Sequence, residues 1–126
     1  MWIWVGPEIA LAIHREQIAE HGGIDGVRDA GALESAMTRP QNLASYATPE
    51  AGDLAAAYAF GTARNHPFAD GNKRVAAVVS ETFLRLNGYA LEVDDAGLVM
   101  EFFALAAGES SEDELAAWFR ERIAPL

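Results

Sequence analysis

The pattern of apolar and polar positions predicts a mostly helical chain, with two helices in its first third joined by a glycine-rich loop. The segment GPE at residues 6–8 is typical of a helix start, and the apolar stripe that follows ends at the paired glycines 22–23. Asp29 can cap a second helix that reaches about Thr38. Because Pro40 lacks the N–H that would continue a helix, residues 40–50 are predicted to form a loop.

Two longer helices are predicted in the middle of the chain. An alanine-rich helix spans about residues 49–64, and we expect it to be central because alanine lets neighbouring helices approach closely. A second helix spans about residues 72–87, and Gly88 is a typical residue for its end. The break between them is the segment HPFADGNKR at residues 66–74.

The C-terminal third is predicted to hold a short extended segment at residues 89–93 and two more helices. Asp94 or Asp95 caps the fifth helix, which ends before Gly108. A capping box begins the sixth. That box pairs Ser111 with Glu114, and the apolar face behind it consists of Leu115, Trp118, Phe119 and Ile123.

Large apolar side chains are expected to fill the core of this fold. Trp2 and Trp4 fit either the core or a patch that faces a partner, and composition does not decide between them. Core positions are predicted for Phe83, Phe102, Phe103 and Trp118, and Phe68 is expected to pin its loop to the core.

Composition narrows the class of protein. The 126 residues suit one all-α domain over residues 1–126. With 9 basic and 19 acidic residues the net charge is −10, which argues against direct binding of nucleic acid. The chain has no cysteine, which excludes disulfides and thiolate chemistry. We expect no signal peptide and no membrane span, hence a cytoplasmic protein.

The segment at residues 66–74 concentrates the polar chemistry of the chain. It places an imidazole, a carboxylate, an amide and two cations where a loop feeds the start of a helix. A helix N-terminus presents free N–H groups and the positive end of its dipole, and Gly71 lets the backbone approach an anion closely. The pattern therefore predicts a phosphate site formed by Gly71, Asn72, Lys73 and Arg74.

Two residues of this segment allow a structural and a chemical interpretation. Asp70 could cap the following helix, or it could hold Mg²⁺ beside phosphate oxygens. His66 could be a buried, hydrogen-bonded histidine, or a general base that takes a proton from a hydroxyl group. The joint occurrence of these residues in one loop favours the chemical interpretation of both.

The segment resembles the signature of the Fic/Doc family, and specifically of its Doc (death-on-curing) branch. The family pattern is His-x-Phe-x-Asp/Glu-Gly-Asn-Gly/Lys-Arg. Residues 21–41 and the segment FLRLNGYAL at 83–91 also resemble the Doc branch, so the likeness extends over essentially the whole chain. The positions that match the signature are His66, Phe68, Asp70, Gly71, Asn72, Lys73 and Arg74.

The resemblance implies a compact six-helix fold whose active-site loop leads into a central helix. It further implies a toxin that transfers the γ-phosphate of ATP to a threonine or serine of a translation factor similar to EF-Tu. His66 would be the catalytic base, Asp70 would hold Mg²⁺, and the residues from Gly71 to Arg74 would hold the nucleotide phosphates. The implied partner is a small Phd-like antitoxin that docks in a groove of the toxin.

Other functions of such a chain stay open. Family members that transfer AMP usually have glycine at the position of Lys73 and an arginine at the position of Ala77, so both departures favour phosphate transfer. AMP transfer by the same site is an alternative, and so is a catalytically silent binding module.

Two further features each allow two interpretations. Arg64 could reach the same phosphates or could pair with Asp53. Residues 92–121 hold nine acids and one base, which suits either a solubility face or a docking face for a basic antitoxin segment.

Overall fold

The computed structural model describes residues 1–126 as six helices and one two-stranded sheet. The predicted all-α class with six helices is therefore confirmed. In chain order the elements are α1 (Pro7–His21), α2 (Ala30–Tyr46), α3 (Ala51–Asn65), α4 (Asn72–Leu86), β1 (Tyr89–Leu91), α5 (Asp95–Ala106), α6 (Glu112–Arg122) and β2 (Ile123–Pro125).

Most helix boundaries follow from local capping chemistry. Gly6 is the N-cap of α1, with proline at the first helical position, and Gly22 ends that helix with φ +80°. Of the two candidate caps for α5, Asp94 is the one used. Ser111 and Glu114 form the predicted reciprocal capping box at the start of α6.

The predicted end of α2 is wrong, because the helix continues through Pro40 to Tyr46. The loop expected at residues 40–50 is accordingly reduced to its last few residues. The proline ring is buried, and α2 packs extensively against α3. The Thr38 hydroxyl donates to the Glu34 carbonyl at 2.9 Å, one turn earlier. Tertiary packing thus outweighs the loss of one backbone hydrogen bond.

Helix α3 lies at the centre of the fold, as its alanine-rich sequence predicts. It packs against α2, α4 and α6, and most of its residues are buried. Tyr58 on α3 is fully buried, and its hydroxyl both accepts from the Val5 N–H at 2.8 Å and donates to the Val5 carbonyl at 3.0 Å. Burial raises the pKa of Tyr58 to about 12. This pair of bonds anchors the N-terminal segment to the core.

The aromatic side chains divide between the core and the surface. Phe68, Phe83 and Phe102 are buried as predicted. Trp2 and Trp4 are partly buried, and each ring centroid lies 5.9 Å from that of Phe83, so both belong to the margin of the core. Trp118 is also partly buried against the core.

The core assignment of Phe103 is wrong, since 58% of this residue is exposed. Helix α5 is apolar around most of its circumference, but only Phe102 and Leu105 on it are buried. The face that carries Phe103, Val99 and Met100 points away from the core. Apolar composition alone could not indicate which face of this helix the core would cover.

The chain ends in a small antiparallel sheet. β1 confirms the predicted extended segment and pairs with β2, with Ala90 opposite Ala124. Ile123 begins β2 and is therefore not part of the α6 face to which the sequence assigned it. None of the six helices combines the length and the apolar character that a membrane crossing needs.

Candidate active site

A cavity of about 1080 Å³ opens between α1, the loop from α3 to α4, the first turns of α4 and one face of α5. The loop and α4 supply most of its polar side chains, whereas α5 supplies mainly apolar ones. Six residues that the sequence predicts for the site line this one cavity, namely His66, Asp70, Gly71, Asn72, Lys73 and Arg74.

His66 stands at the end of α3 in an unusual backbone conformation. Its φ of 49° and ψ of 59° place it in the left-handed region, and it is the only residue other than glycine with positive φ. A side chain in this region costs free energy that the surrounding structure must offset. The imidazole is exposed and lines the cavity, so the interpretation of His66 as a buried structural histidine is wrong.

Arg28 holds the end of α3 in place. Its Nε donates to the His66 carbonyl at 2.7 Å, and its Nη2 donates to the Asn65 carbonyl at 2.8 Å. The guanidinium therefore satisfies two of the carbonyls that a helix C-terminus leaves without intrahelical partners. It also puts a positive charge at the negative end of the helix dipole. Sequence reasoning missed Arg28, because nothing local connects it with a residue 38 positions later.

The glycine-rich segment before α2 forms a backbone clamp on the same loop. The Arg28 and Asp29 N–H groups both donate to the Pro67 carbonyl, at 2.8 and 3.1 Å. The Ala69 N–H donates to the Gly26 carbonyl at 3.0 Å, next to a β-bridge between Val27 and Phe68. The loop that carries the motif is thus held by main-chain bonds, which do not depend on the side chains of either segment.

Asp70 presents its carboxylate at the surface of the cavity. Its Oδ2 accepts from the Ile24 N–H at 3.2 Å and its Oδ1 from the Gly71 N–H at 2.9 Å. These two bonds, in that order, followed by the nearby Arg74 and His14, hold the pKa of Asp70 below its usual value of 3.8. The carboxyl group is exposed and ionised at neutral pH. It does not cap α4, so that alternative is wrong.

Gly23 makes room for this carboxylate. A Cβ at Gly23 would lie 2.8 Å from Asp70 Oδ2, and the glycine has a φ of +122°. Both the space and the backbone conformation therefore require glycine at this position.

A buried histidine forms a hydrogen bond with the backbone of Asp70. His14 is 1% exposed, and its Nε2 lies 3.0 Å from the Asp70 carbonyl oxygen. Because a carbonyl only accepts, Nε2 carries the proton. The imidazole stacks on Phe68, with ring centroids 4.1 Å apart and planes 6° from parallel. The buried structural histidine of this site is therefore His14, which the sequence left without a role.

Asn72 lines the cavity, and its amide group forms hydrogen bonds within the loop. Its Oδ1 accepts from the Phe68 N–H and its Nδ2 donates to the Phe68 carbonyl, both at 3.0 Å. The amide thus closes the loop on itself, and one N–H of Nδ2 is left for another acceptor. Asn72 therefore ties the Phe68 backbone of the loop to the first turn of α4.

The first turn of α4 has no side-chain cap. Gly71 is its N-cap, with φ +77°, a conformation that favours glycine. Arg74 donates from Nη2 to the Gly22 carbonyl at 3.2 Å, while its buried Nε has no partner within the protein. An uncapped helix start beside an arginine with a spare donor is suited to an anion.

Lys73 reaches across the mouth of the cavity to α5. Its Nζ lies 4.0 Å from the centroid of the Phe103 ring, within the range of a cation–π interaction. None of the ion pairs of the structure involves Lys73.

Arg64 does not reach the cavity, contrary to its predicted place beside the phosphates. Its guanidinium lies over the Phe60 ring at 5.2 Å, and it is not among the residues that line the cavity. The alternative pairing with Asp53 is also wrong, since Asp53 pairs with Arg120.

The side chains of the protein do not form a complete metal-binding site by themselves. No group of three or more histidine, aspartate or glutamate side chains is placed to hold an ion by itself. Asp70 and Asp95 are the carboxylates that line the cavity.

The family is decided by comparison with known proteins. The model of the Fic/DOC family matches residues 4–84, which include the whole loop and its clamp. The chain belongs to the Fic/Doc family. It is 33% identical over 117 residues to the protein named Protein kinase doc of Escherichia phage P1, a match that covers 92% of each chain. It is 45% identical over 75 residues to Toxin Doc of Mycolicibacterium smegmatis, covering 58% of each.

Proposed function

We propose that the protein is the toxin of a toxin–antitoxin pair and transfers the γ-phosphate of ATP to a serine or threonine hydroxyl of a translation factor similar to EF-Tu. The observation that carries this proposal is the arrangement around one cavity of an exposed imidazole, an exposed carboxylate and an uncapped helix start flanked by Lys73 and Arg74. Membership of the Fic/Doc family and the name of the phage P1 relative support it.

Each residue of the cavity has a defined part in this proposal. His66 takes the proton from the target hydroxyl as its oxygen attacks the γ-phosphorus, and the bond from that phosphorus to the β–γ bridging oxygen breaks, which releases ADP. The α4 N–H groups, Lys73 and Arg74 bind phosphate oxygens and neutralise their charge. Asp70, ionised and exposed, is the residue that would hold Mg²⁺, which in such sites takes one or two carboxylates together with phosphate oxygens. When bound, the ion would neutralise charge on the phosphate chain.

The choice of γ-phosphate rests on Lys73 and Ala77. Ala77 lines the cavity, so this position faces the ligand and offers no second cation for a more distant phosphate. Lys73 supplies a compact point charge at the helix start instead. AMP-transferring members usually have arginine at the position of Ala77 and glycine at the position of Lys73. The same cavity with the nucleotide reversed would transfer AMP, which is the second candidate.

Labelled nucleotides separate the two reactions. Purified protein with EF-Tu, Mg²⁺ and γ-labelled ATP is expected to label EF-Tu, and α-labelled ATP is not. Label from α-labelled ATP alone would overturn phosphate transfer in favour of AMP transfer. His66→Ala should abolish labelling, whereas His21→Ala, on the α1 side of the same cavity, should keep most of it. Lys73→Gly should selectively weaken transfer of the γ-phosphate.

The toxin part of the proposal concerns a partner and a compartment. We propose a Phd-like antitoxin that covers apolar residues of α5, where Val99 and Met100 are exposed, and action in the cytoplasm, where translation factors are found. Expression of the wild type should arrest growth of a host that lacks the antitoxin, and His66→Ala should not. Equal harmlessness of both proteins would favour the silent binding module.

A further inference from the structure

The ammonium of Lys73 has one partner in the structure, and it is an aromatic ring. Nζ lies 4.0 Å from the centroid of Phe103. Asp95 also lines the cavity, yet Lys73 forms no ion pair with it. The position of this cation therefore depends on α5, the wall opposite the helix that carries it.

Phe103 is well suited to hold the lysine without consuming its charge. The ring is 58% exposed, whereas the adjacent Phe102 is 3% exposed and belongs to the core. The face of an aromatic ring attracts a cation electrostatically. Unlike a carboxylate, the ring neither neutralises the charge of the ammonium group nor occupies its N–H groups with strong hydrogen bonds. An ammonium group on the ring keeps N–H donors for phosphate oxygens, and its flexible four-carbon chain loses freedom before the ligand arrives.

We infer that Phe103 is a positioning residue for Lys73 and thereby sets the affinity of the cavity for a phosphate chain. This inference rests on the proposed function, because it gives Lys73 a phosphate to bind. A cation–π contact at an exposed site corresponds to about a two- to fivefold change in a dissociation constant. Removal of the ring should weaken phosphate binding by that factor, and it should do so only while Lys73 is present.

The sequence offers a direct probe of this contact, because Lys73 is the only lysine of the chain. Protein labelled with ¹³C at the lysine ε-carbon gives one side-chain signal, whose protons lie near the Phe103 ring. The ring current should shift this signal upfield in the wild type, and Phe103→Leu should return it to the position of a free lysine. An unshifted wild-type signal would overturn the inference.

Binding of inorganic triphosphate with Mg²⁺, measured by calorimetry, then tests the consequence. Phe103→Leu should raise the dissociation constant about two- to fivefold, and Phe103→Tyr should restore the wild-type value. In a Lys73→Met background, Phe103→Leu should have no further effect. Met100→Ala, on the same helix, 73% exposed and not among the residues that line the cavity, should leave the constant unchanged in either background.

The outcomes separate the inference from the proposed function. An equal loss of affinity with and without Lys73 would make Phe103 only a part of the apolar wall. A lower dissociation constant in Phe103→Leu would make the ring a competitor of phosphate. Either result overturns the inference and leaves the phosphate site standing. A wild type that binds neither triphosphate nor ATP refutes the proposed function and this inference with it.

Discussion

The backbone of His66 gives a stability test of the site that needs no substrate. Its φ of 49° and ψ of 59° cost a non-glycine residue about 1–2 kcal/mol relative to a relaxed conformation. Glycine avoids this cost but loses about 0.4–1 kcal/mol through the greater freedom of its unfolded chain. His66→Gly is therefore expected to be more stable than His66→Ala by about 0.5–1 kcal/mol.

Urea denaturation of the two variants measures this difference directly. Both lack the imidazole, so the comparison isolates the backbone. With a denaturant slope of roughly 1.5 kcal/mol/M, the midpoint of His66→Gly should lie roughly 0.3–0.7 M above that of His66→Ala. A midpoint for His66→Ala equal to or above that of His66→Gly would refute the assignment of strain to this residue.

Ala47 provides the matched control at the end of another helix. It is the exposed C-cap of α2 with a φ of −134°, where alanine is unstrained. Ala47→Gly should therefore destabilise the protein by about 0.4–1 kcal/mol. Arg28 supplies the second control, because its two bonds hold the end of α3. In an Arg28→Met background residue 66 can relax, and the advantage of glycine over alanine there should shrink or reverse.

Three further outcomes follow from single contacts. Gly23→Ala should displace the Asp70 carboxylate from its backbone N–H donors, so the pKa of Asp70 should rise toward 3.8 in a ¹³C carboxyl titration. Gly26→Ala is the control, because Gly26 also has a positive φ but an added Cβ there meets no atom, and it should leave the pKa of Asp70 unchanged. Because the pKa of Asp70 is lowered in the folded state, its carboxylate contributes stability that is present above about pH 4 and is lost as the pH falls further. In urea unfolding below pH 4, the free energy of unfolding of Asp70→Asn should therefore fall less steeply with pH than that of the wild type. Tyr58→Phe should lower the free energy of unfolding by about 1–3 kcal/mol, because it leaves the Val5 backbone groups unsatisfied. Because the pKa of Tyr58 is raised to about 12, the wild type should lose stability as the pH rises from 10 to about 12, and Tyr58→Phe should not show this loss.

The sequence predicted those parts of the fold that local chemistry decides. Caps, glycine stops and proline starts set most helix ends within a few residues, and the alanine-rich α3 is central as expected. The predicted end of α2 at Pro40 is wrong because tertiary packing, not local chemistry, decides the structure there. Propensity favours a stop there, but burial of the ring against the rest of the fold outweighs one missing hydrogen bond, and no local pattern reports that burial.

The same division applies to the candidate site. The segment 66–74 supplies its chemical groups, and they are close in space because they are close in sequence. The groups that hold them, Arg28 and His14, come from 38 and 56 residues away, measured to His66 and Asp70. Their types are ordinary for a helix face or a loop. Only the folded arrangement distinguishes them from the other arginines and histidines of the chain.

The family model covers one wall of the cavity and not the other. The family match at residues 4–84 covers the loop, its clamp and nearly all of α4, but it ends before α5. The wall with Phe103 therefore lies outside the part of the chain that the family model describes. On the inference above, the position of the Lys73 ammonium in this chain depends on a residue that the family model does not cover. Exchange of Phe103 should thus alter phosphate affinity without disturbing the loop, the clamp or the strained backbone of His66.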